Sequence, residues 1–334
     1  MNLSRLSRPL TAIATLAALS LPASAEVPQV VTDIGITGSL VQQVLGDLGQ
    51  ATVLLPQGGD AHDYQLRPSQ ARDVADADLV IWVGPGLAPW MQRAVDSLGE
   101  GAQSMVLLDL PGTRLIARAG AEAPHDHGGH DHDHDHDHDH DHDHDHDHDH
   151  EDHHHGDGHD HGPVDPHARL APENARNWLD QIAEQLAARD PDNAATYRAN
   201  AASSSAAIAA SGDRIAAQLA PFADRHFVVQ HDAYRYFTGS FGLQDAIAVA
   251  LNDATPPSAA RLRQIQTELT AQDVTCAFPE QDHDDRLMRA AIEGTGIRLG
   301  APLDPEGSAL ATGPGIYLQV LEGIAQGLTD CLSE

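Results

Sequence analysis

Apolar residues fall into two alternating rhythms along most of this chain. A β-branched run at 29–34 reads as a strand. Ile36, Leu40, Val41, Val44, Leu45 and Leu48 then recur at the spacing of one helix face. Gly49, just past them, suits the left-handed residue that closes a helix. The alternation repeats, with strands predicted at 51–55, 79–83 and 104–108 and helices at 68–77 and 88–98; Pro68 fits a first helical turn. Past residue 170 the helical rhythm lengthens. A helix is predicted over 172–188, with Trp178, Leu179, Ile182 and Leu186 on one face. A longer Ala-rich helix follows from about Pro191 to Leu219, broken only at Gly212 and ended by Pro221. Strands at 226–230, 246–250, 274–278 and 297–299 then alternate with helices at 257–271, 285–293 and 315–328.

Strand-helix alternation in both halves argues for parallel sheets with crossover helices. The expected architecture is α/β. Two Rossmann-like lobes, 26–170 and 223–334, each hold a mostly parallel sheet with flanking helices. Connecting helices at 171–222 include the one long backbone helix that joins them. Ligands of open α/β sheets sit beyond the carboxyl ends of strands, so a cleft between the lobes is the expected site.

One segment obeys neither rhythm. From His125 to His161 there is no aliphatic residue and no Arg, and Asp131 to His150 is a strict Asp-His alternation repeated ten times. Nothing there can bury enough surface to offset the ordering entropy, so a disordered loop is expected over 121–162. It holds 18 of the 23 histidines, and imidazole and carboxylate at this density read as metal binding, zinc first. A solvated acidic linker is the plainer reading of the same composition.

Charge narrows the partners. The formal net charge is −31, and all 19 basic residues are Arg. Such a surface repels nucleic acid and anionic lipid and attracts cations. Residues 1–25 have the layout of a secretory signal peptide: Arg5 and Arg8, a short apolar stretch from Leu10 to Leu21, and Ala23-Ser24-Ala25 as a cleavage site. Export to the periplasm is expected, with cleavage before Glu26. In an oxidising compartment the only two cysteines, Cys276 and Cys331, favour a disulfide, with two metal-binding thiols as the rival.

Three of the five histidines outside the tract stand where a cleft would be. His62 follows a strand in Gly58-Gly59-Asp60-Ala61-His62-Asp63-Tyr64. His167 lies in Asp165-Pro166-His167, and His231 ends a strand in Gln230-His231-Asp232-Ala233-Tyr234. Singly, each suits a structural or surface role; jointly, three loop-borne histidines favour one composite metal site. Asp63, Asp165 and Asp232 neighbour them and are candidates for orienting an imidazole. His226 has no motif around it and reads as structural.

Together with the downstream Asp-Asp-Arg-Leu-Met stretch, these segments resemble the signatures of the cluster A-I (cluster 9) metal-binding proteins of ABC importers. The resemblance spans the chain from 26 onward. The acidic His-rich insertion is similar to that of the zinc-specific, ZnuA-type periplasmic members, and Cys276–Cys331 resembles a disulfide of that subgroup. The resemblance implies a zinc site of His62, His167 and His231 between two lobes, since manganese members use two histidines and two carboxylates. For a fourth ligand, some zinc members place Glu where this chain has Ala61, with Asp60 one residue further away. Asp284 matches relatives that supply an Asp, with Asp282, His283 and water as alternatives; an acid cluster capping the next helix is the competing role. Arg169 stands where many members carry Trp.

The function implied is periplasmic zinc capture and delivery to the membrane permease of an ABC importer. A monomer is expected, with a periplasmic zinc chaperone as a further candidate partner and weaker zinc on the His-rich loop. No enzymatic role is expected. The alternatives are a zinc hydrolase with three histidines and an activated water, a manganese or other divalent-metal binder of the same family, and a pure metal buffer.

Overall fold

The computed structural model describes residues 26–98, 103–118, 163–250, 258–281 and 283–334. The expected signal segment 1–25, the His-rich loop at 121–162 on which weaker zinc binding is expected, and Asp282 lie outside the described residues.

The first sheet is built from β1 (Val30–Thr32), β2 (Ala51–Val53), β3 (Leu79–Trp82) and β4 (Gln103–Val106). All pairings are parallel, in the order β2-β1-β3-β4. Crossovers run through α1 (Gly35–Leu45), α2 (Pro68–Ala75) and α3 (Pro89–Leu98). Both faces of β1 and β3 are buried, as near-continuous apolar strands require. Helix α1 is shorter than its apolar spacing predicts. It ends at Leu45 because Gly46, at φ 57°, turns the chain and donates its N–H to the Gln42 carbonyl. A side chain there would collide with the Asn200 amide, whose Nδ2 would lie 2.7 Å from a Cβ.

Helices α4 (Pro172–Arg189) and α5 (Ala194–Leu219) follow, packed along one another. Gly212 does not interrupt the 26-residue α5, whose inner face buries Tyr197, Ala201, Ile208, Ile215 and Leu219. The second sheet comprises β5 (Phe227–His231), β6 (Ile247–Ala250), β7 (Cys276–Phe278) and β8 (Arg298–Leu299). It is again all parallel, in the order β6-β5-β7-β8. Helices α6 (Arg235–Phe241), α7 (Ala259–Ala271) and α8 (Arg286–Ile292) lie among these strands, and α9 (Ile316–Leu332) closes the chain.

Period-two alternation divides the second sheet. Phe227, Val229 and Phe278 face the large core shared with α1, α4, α5 and α9, whereas Val228, Val249 and Ala277 face a smaller cluster under α7 and α8. The C-terminal helix crosses back to pack on α1 and α5, and Cys276 of β7 is disulfide-bonded to Cys331 near its end. No described helix is long and apolar enough to cross a membrane.

Candidate metal centre

Three segments at carboxyl ends of strands or helix entries deliver the three histidines. His62 sits in the loop after β2. The Asp60 carboxylate accepts the His62 backbone N–H at 2.8 Å, the Trp90 indole N–H donates to the Ala61 carbonyl at 2.8 Å, and Tyr64 packs edge-on against Trp90 at 5.3 Å. The loop is therefore held on both sides of its histidine. Gly58 N–H also donates to Ser308 O at 3.0 Å, tying the loop to the segment that leads into α9.

His167 is fixed by its own Asp-Pro-His sequence. Pro166 restricts the turn, and Asp165 folds forward so that Oδ1 accepts the His167 backbone N–H at 2.9 Å and its Nδ1–H at 2.7 Å. His231 is the last residue of β5, and its Nδ1–H donates to the Glu280 carboxylate at 2.7 Å. Glu280 lies just beyond β7, the neighbouring strand, and also accepts the Tyr234 hydroxyl at 3.3 Å.

These bonds decide the chemistry of the remaining nitrogens. With Nδ1–H donated to a carboxylate, Nε2 of both His167 and His231 carries a lone pair, and the two Nε2 atoms lie 3.3 Å apart. One donor atom from each of His62, His167 and His231 falls within 4.8 Å of the other two. His167 and His231 are 4% and 2% exposed, so water scarcely reaches them, while His62 is half-buried. Converging, desolvated imidazole lone pairs repel one another and suit a soft-to-borderline cation, with carboxylates behind two rings to fix tautomer and raise basicity. A cavity of about 120 Å³, lined in part by Asp60, His62, His231, Glu280, His283 and Glu306, opens onto the group.

Burial governs the acids around it. Asp165 is pushed above the ordinary carboxylate range by desolvation, against the pull of the His167 backbone N–H and of Arg235, Arg169 and Arg118. Asp232 is pushed up to about 6, by burial first and then by the charge of Asp165.

Asp284, the expected fourth ligand, is not brought into this group. Its carboxylate accepts the Arg286 backbone N–H at 2.9 Å and the Arg286 side chain at 2.6 Å, so it serves the first turn of α8 instead. That pairing holds its pKa below the usual value. His283 lines the cavity, and His226 stands apart, ahead of β5. Of the three neighbouring acids, Asp165 orients an imidazole. Glu280 does the same for His231 and was not anticipated; the usable signal is that an acid just past β7 must lie beside the end of β5. Arg169 is fully buried and forms an ion pair with Glu306.

A family model described as zinc-uptake complex component A, periplasmic (ZnuA) matches residues 30–331. The chain belongs to this family. A high-affinity zinc uptake system protein ZnuA from Paracoccus denitrificans is 55% identical over 319 residues, covering 96% of both chains. The protein of the same description from Brucella suis is 39% identical, covering 91% of this chain and 92% of its own. Among solved structures, the periplasmic metal binding protein from candidatus liberibacter asiaticus superposes with a TM-score of 0.71 at 20% identity, covering 91% of this chain and 99% of that one. The laminin-binding adhesin of Streptococcus agalactiae gives 0.70 at 18% identity with the same coverage. At such identities the likeness concerns the fold alone: both share this two-sheet α/β architecture.

Proposed function

We propose that this chain captures zinc in the periplasm through His62, His167 and His231 and hands it to the permease of an ABC importer. The zinc is cargo, not a resident cofactor. Family membership supplies zinc uptake and the periplasmic setting; the assignment to these three side chains rests on one observation. Two buried imidazoles, each backed by a carboxylate, turn Nε2 atoms toward one another 3.3 Å apart, with a third imidazole in reach. Three neutral nitrogen donors favour zinc over manganese, which prefers oxygen. The cavity that opens onto the three histidines, lined in part by Asp60, Glu280 and His283, leaves room for a fourth donor or water. In this reading residues 1–25 direct export, and the tract at 125–161 is a reservoir of weaker sites beside the tight one.

The experiment is calorimetric titration of the mature chain with zinc. One tight site per chain is expected, unchanged when residues 125–161 are deleted. His167→Ala should weaken it about a thousandfold, since one of three protein ligands carries roughly a third of a binding free energy of about 10–16 kcal/mol. Loss of the tight site on deleting the tract would refute the reading.

A further inference from the structure

Arg169 is the charged group that zinc capture leaves over. Its side chain is completely buried in the short turn Ala168–Leu170, two positions after His167. It forms an ion pair with Glu306 and reaches the Pro305 carbonyl at 3.5 Å. Glu306 belongs to the segment between β8 and α9, and it lines the cavity that opens on His62 and His231. Arg169 also acts electrostatically on Asp33, at the end of β1, and on Asp165, the residue that holds His167. One permanently charged guanidinium thus pairs with a carboxylate of the cavity wall and acts at a distance on Asp165, which holds His167.

Packing alone does not account for this pair. A buried ion pair is rarely more stabilising than an apolar pair of the same volume, because both charges must be stripped of water. What a charge does here, and an apolar side chain cannot, is act on a dication. A positive charge beside the three imidazoles opposes zinc, and the Glu306 carboxylate favours it; the fully buried Arg169 is little screened by water.

We propose that Arg169 is an affinity-setting residue: a resident cation, locked to Glu306 beside the three imidazoles, that limits how tightly the site retains zinc and so permits release. The proposal rests on His62, His167 and His231 being the ligands. A protein that must give up its cargo needs tight but reversible binding, and a fixed opposing charge lowers retention without removing a ligand.

The two halves of the pair should therefore move zinc affinity in opposite directions. The measurement is competition for zinc between the full chain and a chromophoric chelator, for Arg169→Gln, Glu306→Gln, the double variant and His231→Ala. Arg169→Gln should bind zinc about tenfold tighter, Glu306→Gln about tenfold weaker, and the double variant should return near the parent, a usual size for coupling between sites. Both single variants should also lower the Tm of the zinc-free chain. A structural role moves both affinities the same way, in step with Tm; that result, or no change in either, overturns the proposal. If Arg169→Gln does not fold, the comparison of Glu306→Gln with the double variant decides, since the double must bind tighter and equality overturns the idea. His231→Ala separates the two levels: tight zinc retained there refutes the three-histidine reading itself, whereas tight zinc lost there with unmoved Arg169 and Glu306 variants refutes only the role of Arg169.

Discussion

The two sheets have the same strand order, so the carboxyl end of β1 in the first corresponds to the carboxyl end of β5 in the second. At the first point stands Asp33; at the second, His231. Asp33 is fully buried and spends both oxygens on backbone, accepting N–H from Ile34 and from Val83, each at 2.8 Å. It ties the end of β1 to the end of β3. His231 reaches across to the end of β7 in the same way, but its partner is the Glu280 side chain, and its second nitrogen remains directed at His167. The fold offers a crevice at each switch point. Side-chain chemistry makes the first a structural lock, and in the proposed reading it makes the second a ligand.

The sheets differ in support as well. The first is embedded in the large core, whereas the outer face of the second rests on a cluster of modest size built around Val228, Val249, Ile265, Leu269 and Met288. The Cys276–Cys331 bond compensates by tying β7 to α9 across 55 residues of chain. Replacing both cysteines by Ser should have the largest effect on the comparison, a loss of up to about 4 kcal/mol in the chain-entropy model. Denaturant unfolding of the zinc-free protein measures it. An unchanged midpoint would mean that the second sheet needs no staple and that the asymmetry is only apparent.

The next effect sharpens the contrast between lock and ligand. Glu280→Gln keeps an acceptor for the His231 Nδ1–H but removes the charge that raises the basicity of the ring, and should weaken zinc binding about 10–100-fold. Asp33→Asn should leave zinc affinity unmoved. Calorimetry on the two variants side by side is sufficient. Equal losses would show that both switch points belong to the metal centre.

Much of this was legible in the residues. Alternating strand and helix rhythms specify both sheets, because buried parallel strands and amphipathic crossovers have distinct periods. The three histidines were legible because each stands in a loop at an element's edge, with turn residues such as Asp165-Pro166 that hold it. Glu280 was not, because its role depends on β7 lying beside β5, which local pattern does not encode. Asp284 illustrates the local side: an acid ahead of a helix has a use of its own, and here it pairs with Arg286. The early stop of α1 comes from the left-handed turn at Gly46, where the Asn200 amide, more than 150 residues away, leaves no room for a side chain.

The smallest expected effect is a slope with pH, and it separates the two switch points by sign. Burial pushes the Asp33 carboxyl above the ordinary range; the backbone N–H groups of Val83 and Ile34 and the charge of Arg169 pull it down without cancelling the rise. The folded chain therefore holds this proton more tightly than the unfolded chain. From the ordinary carboxylate pKa of about 4 up to the raised native value, the native state binds more protons, so this residue's contribution to stability falls as pH climbs through that window. Asn cannot titrate, and Asp33→Asn should lack this part of the slope while losing about 1–3 kcal/mol overall for the backbone N–H left without its oxygen. Urea unfolding of both zinc-free proteins over the acidic range tests this: the stability gap between them should shrink as pH rises. A gap that widens would mean the fold favours the ionised carboxylate. At the end of β5 acid acts the other way, since protons compete with zinc for imidazole and should weaken the complex as pH falls. Acid thus tightens the lock at one switch point while loosening the metal at its counterpart, an opposition that neither sheet could show alone.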